Sequence, residues 1–530
     1  MIIDIYPVWL NPSSPPLPPP PSAAGKTVLH LDPNPYYGGH FASLPLHDLA
    51  SFLNSVSHPL PPSPPSSSDD ALDYVCVDLQ TRSLYSDVEI SSRAPVVLQE
   101  HSRKFNVDLA GPRVLFCADK CIDAVLKAGV NQYLEFKSID ASYLCDENGN
   151  LANVPGSRAA IFKDKSLSLT EKNQLMRFFK LVQQHLDPAA DNQNSKISNE
   201  DLESPFVEFL KKLRLPQKMK SMILYGISLA DYDQNDTEVG KNRILTKEGI
   251  GRLALYHTSI GRFQNAHGAL LYPIYGQGEL SQAFCRRAAV KGCLYVLRMP
   301  VVALLKDKIS ENYKGVRLAS GQDIFSHQLV LDPCFMVPPP LTFSLESLQG
   351  VSLRDVNSKV ARGICITKHS LVLDVKNSLL VYPPRTLFPE QVSSVRVLQI
   401  GGNLAVCPED MFVIYISTLC GNANQGKETL RAAIAAIMSL IVRERPDDID
   451  QNINADDKDS ALLWSALYIQ ELSMGQFGSV SFTPMPDGNL DYDNLLSASF
   501  ELFQKMYPHE EFFPETTSAA VQEDDGEPDS

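Results

Sequence analysis

The sequence predicts a mixed α/β fold, in which a helical domain is inserted into a domain built on a mixed sheet. Strand-like apolar runs such as "KTVLHLD" and "CLYVLRMPVVALLKD" occur near residue 27 and again after residue 263. Between 169 and 262 the apolar residues instead recur at helical spacing. We therefore predict a discontinuous mixed-sheet domain over 22–168 and 263–514, interrupted by a helical domain over 169–262.

In the first half of the chain, the pattern predicts a strand over 27–32 and a helix near 45–55. "CIDAVLKAGVNQYLEF" predicts a helix followed by a strand, and the Asn-Gly pair in "YLCDENGNLANVP" is typical of a hairpin. "TEKNQLMRFFKLVQQHL" has a broad apolar face, and Thr170 is placed to cap the helix start. "SPFVEFLKKLRL", "PQKMKSMILYGISLADY" and "TKEGIGRLALYHTSIGRF" continue the helical pattern.

In the second half, strands return. "KGCLYVLRMPVVALLKD" predicts two strands broken at Pro300, and "SLLVYPPR", "SVRVLQIG" and "MFVIYISTLC" predict further strands. "KETLRAAIAAIMSLIVRE" predicts a helix, and "SALLWSALYIQEL" predicts a strand. Four segments are predicted to be flexible or disordered, namely a Pro-rich leader over 1–21, loops over 57–70 and 187–199, and an acidic tail over 515–530.

Composition excludes several classes of protein. The 530 residues carry a net charge of −15, with a pI near 5.2, which argues against a nucleic-acid partner. We find no apolar run of about 18 residues and no basic n-region, so neither a transmembrane helix nor a signal peptide is predicted. The ten cysteines suit a reducing cytosol, and Cys117 and Cys121 fit buried thiols better than a metal site. A cytoplasmic protein is therefore expected.

Asp32 ends the first predicted strand, as an acid does in the second strand of a dinucleotide-binding βαβ unit. In such a unit a Gly-rich turn lies roughly 20 residues upstream. Here no glycine precedes Gly25, and Pro dominates the preceding segment. We therefore expect the first strand and the Gly-rich turn to be missing. Either "MIIDIYPVWL" substitutes for that strand, or the gene is truncated or starts at an alternative site.

A second nucleotide-like pattern occurs in "CGNANQGKETL". Gly421, Gly426 and Lys427 match G-x4-G-K between a strand and a helix, which is the context of a P-loop. Glu428, however, stands where Ser or Thr must bind Mg²⁺, and its charge would repel phosphates. We interpret the segment as a surface turn before a helix. No G-x-S-x-G or HExxH motif is present, so nothing in the sequence requires catalysis.

Two segments suggest a binding surface. In "YGQGELSQAFCRRAAVKG", Glu279, Gln282 and Arg286 fall on one face of a helix. This face is either a solvated charged stripe or a surface for a partner. In "NPYYGGH", Tyr36 and Tyr37 point in different directions, so that one can pack in the core while the other is presented to a partner. The alternative is that both tyrosines pack in the core.

The segments "GKTVLHLDPNPYYGGHFASL", "FNVDLAGP", "YLEFKSID", "GALLYPIYGQGELSQAFCRRAAVKGCLYVLR" and "LFPEQVSSVRVLQIGGNLAVCPEDM" resemble conserved regions of the Rab escort proteins and of their relatives, the Rab GDP dissociation inhibitors. The resemblance spans about 25–514 and favours the plant-type escort branch. It implies a fold like that of FAD-dependent monooxygenases, used without flavin, plus a helical second domain. It implies no enzymatic activity of the chain itself.

The resemblance also implies partners. Escort proteins bind newly made GDP-bound Rab GTPases, present them to Rab geranylgeranyltransferase and carry the lipidated Rab to membranes. The family's Rab-binding positions fall on Tyr37, Glu279, Gln282 and Arg286. The helical domain is expected to contact the prenyltransferase and shelter the geranylgeranyl chain, with Phe206 and Phe209 expected to be exposed contact residues. The alternatives are a recycling chaperone of the dissociation-inhibitor kind, or a truncated, non-functional isoform.

Overall fold

The structure is a computed structural model that describes residues 28–57, 73–155, 168–187, 196–236, 243–310, 312–336, 359–444, 461–472 and 481–512. The predicted leader over 1–21 and the acidic tail over 515–530 lie outside these ranges. The predicted loops over 57–70 and 187–199 lie largely outside them.

The helices are α1 (Leu46–Ser57), α2 (Pro95–His101), α3 (Lys120–Lys127), α4 (Leu169–Leu186), α5 (Asn199–Glu203), α6 (Phe206–Lys212), α7 (Gln217–Ser221), α8 (Thr246–Ser259), α9 (Gly278–Val290), α10 (Ala423–Arg443) and α11 (Asp493–Met506). A π-helical segment, Met222–Ile227, continues α7. Short 3-10 helices occur at Gly39–Phe41, Ser102–Lys104, Asn131–Tyr133 and Gly402–Leu404.

The strands are β1 (Leu29–Leu31), β2 (Ser43–Leu44), β3 (Tyr74–Asp78), β4 (Gln80–Thr81), β5 (Tyr85–Ser92), β6 (Val107–Asp108), β7 (Leu115–Phe116), β8 (Phe136–Ser138), β9 (Ala141–Cys145), β10 (Leu151–Asn153), β11 (Leu270–Pro273), β12 (Leu294–Val296), β13 (Val301–Asp307), β14 (Tyr313–Leu318), β15 (Asp323–Phe325), β16 (Val330–Leu331), β17 (Phe335–Met336), β18 (Lys359–Thr367), β19 (Ser378–Tyr382), β20 (Val395–Gly401), β21 (Phe412–Cys420), β22 (Leu462–Glu471) and β23 (Ser481–Phe482).

The largest sheet has eight strands in the order β10-β9-β19-β20-β21-β18-β22-β5. It is mixed, because β9 and β19 are parallel while their other neighbours are antiparallel. Alternate residues of its central strands enter two different apolar clusters. Val397 and Ile414 pack in the cluster that includes α10, whereas Leu398 and Tyr415 pack in the cluster that includes α4, α6 and α8. Because both faces of the sheet are covered, the sequences of these strands are nearly continuous apolar runs.

A second, smaller unit surrounds the start of the described chain. Strand β1 pairs in parallel with β12, with Leu29 opposite Leu294. A four-stranded sheet in the order β15-β14-β13-β3 packs in the same apolar cluster. The predicted strand over 27–32 and the predicted break at Pro300 between β12 and β13 are confirmed.

Several local predictions are confirmed, and one is wrong. Strands β9 and β10 form the predicted antiparallel hairpin, and Gly149 in its turn has φ of 75°, which favours glycine. The predicted cap at Thr170 is wrong, because the N-cap of α4 is Ser168, two residues earlier. Ser168 accepts the backbone N–H of Glu171, whose carboxylate accepts the N–H of Ser168 in return.

The described residues between 168 and 262 form helices and no extended strand, and they pack directly on the large sheet. The Arg396 guanidinium of β20 donates to the carbonyl of Leu229, and the Ser394 hydroxyl donates to the carbonyl of Ala230. One apolar cluster includes residues of both the helical segment and the sheet. The division into two domains stays a prediction.

Candidate functional site

Helix α9 carries the predicted stripe. Its inner face is buried through Leu280, Ala283 and Phe284, which pack against α3 and β11. On the other side Gln282 and Arg286 are exposed and Glu279 is half-buried. Burial raises the pKa of the Glu279 carboxyl above its usual value. The three predicted residues therefore share one accessible helix face.

Arg286 is held by an aromatic ring. Its guanidinium carbon lies 4.7 Å from the centroid of the Tyr133 ring, a cation–π contact. Among the residues that the structure describes, no carboxylate forms an ion pair with Arg286. The charge and the N–H donors are thus available to a partner, while the ring fixes the position of the guanidinium.

The two tyrosines of the "NPYYGGH" loop differ in surroundings, as predicted. Tyr36 packs against the main apolar cluster, and burial raises the pKa of its hydroxyl to about 12. Tyr37 is half-buried and meets the ring of Tyr295 edge-on, with centroids 5.4 Å apart. Burial raises the pKa of Tyr37, with a smaller contribution from the nearby Cys285 thiol of α9. Cys285 lies on the buried side of α9, whereas Gln282 and Arg286 lie on its exposed side, so Tyr37 is near α9 without a contact to the stripe among the described residues.

The two glycines that precede and begin α9 permit a close approach of backbones. Gly276 has φ of 102°, and a Cβ there would lie 2.5 Å from the Ser43 hydroxyl. A Cβ on Gly278 would lie 2.7 Å from the Ser43 nitrogen. The glycines of "YGQGE" therefore serve contact between α9 and the chain that follows the tyrosine loop.

Three exposed side chains at this surface were missed by sequence reasoning. Tyr275 is 55% exposed although its φ of 72° is unfavourable for any residue with a Cβ. Val290 is 66% exposed and lies one turn beyond Arg286, and Leu294 follows with 55% exposure. The helical repeat from Gln282 through Arg286 to Val290 was a signal that could have identified Val290.

An apolar cavity of about 280 Å³ adjoins this surface. Its walls come from α3, the 3-10 helix Asn131–Tyr133, β8, β11 and the chain after α8, and include Ile122, Leu126, Leu134, Phe263 and Leu271. Asn131 lines the cavity, and Tyr133 two residues later holds Arg286. The 3-10 helix Asn131–Tyr133 therefore contacts both the stripe and the cavity. We call the α9 stripe, Tyr37 and this cavity the platform.

A second apolar cavity, of about 300 Å³, lies between α4 and α8 in the helical segment. Its lining includes Phe179, Val182, Leu186, Leu253 and Ala254. Such a space between amphipathic helices suits an apolar ligand.

The expected exposure of Phe206 and Phe209 is wrong. Their exposed fractions are 0% and 4%, respectively, because α6 turns both rings into the core and directs Glu208, Lys211 and Lys212 to solvent. Phe206 packs so closely on α8 that a Cβ on Gly249 would lie 2.4 Å from its ring. A prenyltransferase contact through these two rings stays a prediction, and in this conformation they offer a partner almost no surface.

Neither nucleotide-like pattern is built to hold a nucleotide. The ammonium of Lys427 lies 2.8 Å from Glu89 of β5, Asn422 caps α10, and Gly426 packs on Cys420 and Ala361. Asp32 is 1% exposed, and its carboxylate accepts the N–H of Asn34. Its other carboxylate oxygen is buried without a hydrogen-bond partner among the described residues.

Within the described ranges, no cluster of His, Cys, Asp and Glu has the geometry of a metal site. Burial raises the pKa of the Cys117 thiol to about 11 and that of Cys121 well above its usual value. A search of the described helices for a long apolar stretch that could cross the membrane finds none.

Comparison with known proteins identifies the family. The sequence model described as "GDP dissociation inhibitor" matches residues 70–462, about three quarters of the chain. The chain is 56% identical over 525 residues to Rab escort protein 1 of Arabidopsis thaliana, covering 95% of this chain and 93% of that protein. The chain belongs to the GDP dissociation inhibitor family.

A more distant relative is the Rab proteins geranylgeranyltransferase component A of Drosophila melanogaster, 25% identical over 93% of this chain and 86% of that protein. Among solved structures, a Rab GDI from Plasmodium falciparum has a TM-score of 0.61 at 18% identity, covering 96% of this chain and 98% of the other. An oxidoreductase from Methanosarcina mazei has a TM-score of 0.50 at 9% identity, covering 95% and 99%. These likenesses show the fold alone, and they confirm the predicted α/β class.

Proposed function

We propose that the chain is an escort protein for Rab GTPases. It binds GDP-bound, unprenylated Rab through the platform, presents the Rab to the Rab geranylgeranyltransferase heterodimer, and delivers the lipidated product to membranes from the cytosol. The observation that carries the proposal is the accessible stripe of Glu279, Gln282 and Arg286, in a chain 56% identical to a Rab escort protein.

The chemistry of the platform fits this role. An exposed cation and a half-buried acid on one helix face fix the register of a charge-complementary partner. Exposed Val290 and Leu294 and the adjoining cavity supply apolar area, which a purely solvated stripe would lack. The cavity between α4 and α8 lies in the segment predicted to shelter the geranylgeranyl chain. The transferase supplies the catalysis, and the chain itself acts as an accessory component.

A second candidate function is recycling of already prenylated Rab, as by a dissociation inhibitor. The observation that favours it is the family match, because the same family description and fold are shared with a Rab GDI. The two functions differ in one step, since a recycling protein does not support transfer of the lipid.

The test is a prenylation assay. The purified chain is mixed with unprenylated GDP-bound Rab, the transferase heterodimer and labelled geranylgeranyl diphosphate, with a full-length escort protein as the positive control. Label on Rab is the expected result. A cooperatively melting chain that binds Rab but gives no label supports the recycling function. A chain with no cooperative melt and no label is a non-functional form.

A further inference from the structure

A buried carboxylate lies beneath the start of α9. Asp108 of β6 is 3% exposed. One carboxylate oxygen accepts the Ser43 hydroxyl at 2.6 Å and the Gln277 N–H at 3.0 Å, and the other accepts the Tyr272 hydroxyl at 2.5 Å. The Ser43 hydroxyl in turn accepts the N–H of Gly278 at 2.8 Å. Asp108 therefore joins β2, β6, β11 and the N-terminus of α9.

This arrangement caps α9 from outside the helix. Gln277, at the N-cap position, provides no side-chain cap of its own. The first backbone N–H groups of a helix need acceptors, and a negative charge near them is favourable for the helix dipole. Asp108 accepts the N–H of Gln277, and Ser43 accepts that of Gly278. The position of the helix that carries Glu279, Gln282 and Arg286 thus depends on a residue distant in sequence.

The same carboxylate orders the chain that follows Tyr37. Ser43 pairs with Asp108 in the short antiparallel β2–β6 ladder, and the N–H of Leu109 donates to the carbonyl of Ala42 at 3.1 Å. Ser43 lies six residues after Tyr37, beyond the 3-10 helix Gly39–Phe41. Both segments of the platform are therefore held by one buried group.

We propose that Asp108, in its ionised form, is the positioning residue of the platform. It fixes the relative positions of the Tyr37 loop and the α9 stripe, so that both can contact the partner. The proposal rests on the proposed function, because the relative position of these segments matters only if they contact Rab. Asp108 is buried, so it acts through Ser43 and the first turn of α9 rather than by touching the partner.

Charge distinguishes this role from simple packing. Burial raises the pKa of Asp108 to about 6. The titratable groups around it are the hydroxyls of Tyr272, Tyr415, Tyr468 and Tyr492, and burial keeps the pKa of each well above 10. Between pH 5.5 and 8 these hydroxyls stay neutral. Asp119, which acts on Tyr492 and whose pKa burial raises to about 7, also changes charge in this range, but Asp108 is the carboxylate that is bonded to Ser43 and Gln277.

Ionisation of Asp108 is expected to have opposite effects on the stability of the fold and on binding of the partner. A buried acid whose folded-state pKa is raised is destabilising when ionised, so protonation as the pH falls through about 6 favours the folded state. Asp108→Asn removes the charge while keeping an acceptor for Ser43 and Gln277, but its amide nitrogen cannot accept the Tyr272 hydroxyl. Because removal of the buried charge offsets the loss of that bond, we expect this variant to melt no lower than the wild type, yet to lose the electrostatic hold on α9.

The test compares Asp108→Asn with Asp146→Asn as the control. The Asp146 carboxylate likewise accepts backbone N–H groups, those of Asn148 and Asn150, but in the β9–β10 turn rather than at α9. Affinity for GDP-bound Rab, thermal melts and hydrogen exchange at Gln277 and Gly278 are measured from pH 5.5 to 8. We expect Asp108→Asn to bind about tenfold more weakly at pH 7.5, a loss typical of one well-placed interface group. Exchange at α9 should be faster, and the melting temperature unchanged or higher.

Wild-type affinity should fall towards that of Asp108→Asn below pH 6, whereas Asp146→Asn should follow the wild type at every pH. Wild-type affinity and exchange in Asp108→Asn would overturn the positioning role and leave the escort function standing. A loss of affinity accompanied by a lower melting temperature would show that Asp108 only stabilises the fold, and would also overturn the positioning role. A wild-type chain that binds no Rab at pH 7.5 would overturn the escort function and, with it, this proposal.

Discussion

At the scale of single residues, Arg286 is the side chain whose surroundings most favour a binding role. Its guanidinium lies over the Tyr133 ring at 4.7 Å, with the charge facing solvent. Planar guanidinium groups pair well with partner carboxylates, and Lys does not reproduce this geometry. We expect Arg286→Ala to weaken binding of GDP-bound Rab by ~10-fold or more, and Arg286→Lys to recover part of the loss. Titration calorimetry would measure both variants.

The matched control is Arg431→Ala. Arg431 is also an exposed arginine, but it lies on α10 and pairs with Glu89 at 2.8 Å. We expect it to bind Rab as the wild type does. Tyr37→Ala should weaken binding as Arg286→Ala does, and normal affinity in both of these variants would contradict the platform.

Tyr275 combines backbone strain with exposure. A φ of 72° on a residue with a Cβ costs on the order of 1 kcal/mol, and the ring is 55% exposed. Replacing it by glycine relieves the strain and also removes the ring. Tyr275→Gly should therefore leave the melting temperature unchanged or higher while weakening Rab binding. Equal affinity of variant and wild type would show that the ring makes no contact.

At the scale of elements, α8 contains two glycines in opposite situations. A Cβ on Gly249 would lie 2.4 Å from the Phe206 ring, whereas a Cβ on Gly251 would meet nothing within 4 Å. Gly249→Ala should destabilise the fold by about 1–3 kcal/mol through overpacking. Gly251→Ala should stabilise it by about 0.5–1 kcal/mol, because alanine favours the helix. Urea unfolding of the pair would measure both, and equal effects would contradict this packing.

The same helix shows why sequence patterns predicted the elements better than their surroundings. Apolar periodicity identified α4, α6, α8 and α10, since each buries one face. It misjudged Phe206 and Phe209 because the lysines after them suggested an exposed segment. The space that receives Phe206 is created by Gly249, more than 40 residues away, and no local pattern reports that contact.

The platform was likewise predicted only in part. Spacing placed Glu279, Gln282 and Arg286 on one face, and the double tyrosine suggested one packed and one presented ring. Tyr133, Asp108 and Ser43 remained unnoticed because their roles depend on contacts between distant segments. The cation–π contact of Arg286 joins residues 153 positions apart, and the bond between Ser43 and Asp108 spans 65. The prediction of the α4 cap was wrong for a simpler reason, since Ser168 and Glu171 form a capping box that Thr170 cannot form.

At the scale of the whole molecule, the platform and the cavity between α4 and α8 have different proposed roles. The platform offers charge and exposed side chains to a folded partner, while the cavity of about 300 Å³ offers apolar walls to a flexible chain. Binding of unprenylated Rab should depend on the platform alone. The affinity gained after prenylation should depend on the cavity, because a buried alkyl chain contributes about 0.8 kcal/mol for each CH₂ group that leaves water.

Ala254 on the cavity wall tests this division. Ala254→Phe fills the space, so the affinity for geranylgeranylated Rab should fall towards that for unprenylated Rab, which should not change. Ala435→Phe, on the exposed face of α10, introduces the same ring far from the cavity and should leave both affinities unchanged. If Ala254→Phe binds prenylated Rab as tightly as the wild type does, the lipid is held elsewhere. If it also loses unprenylated Rab, the platform and the helical segment act as one site, and the division is wrong.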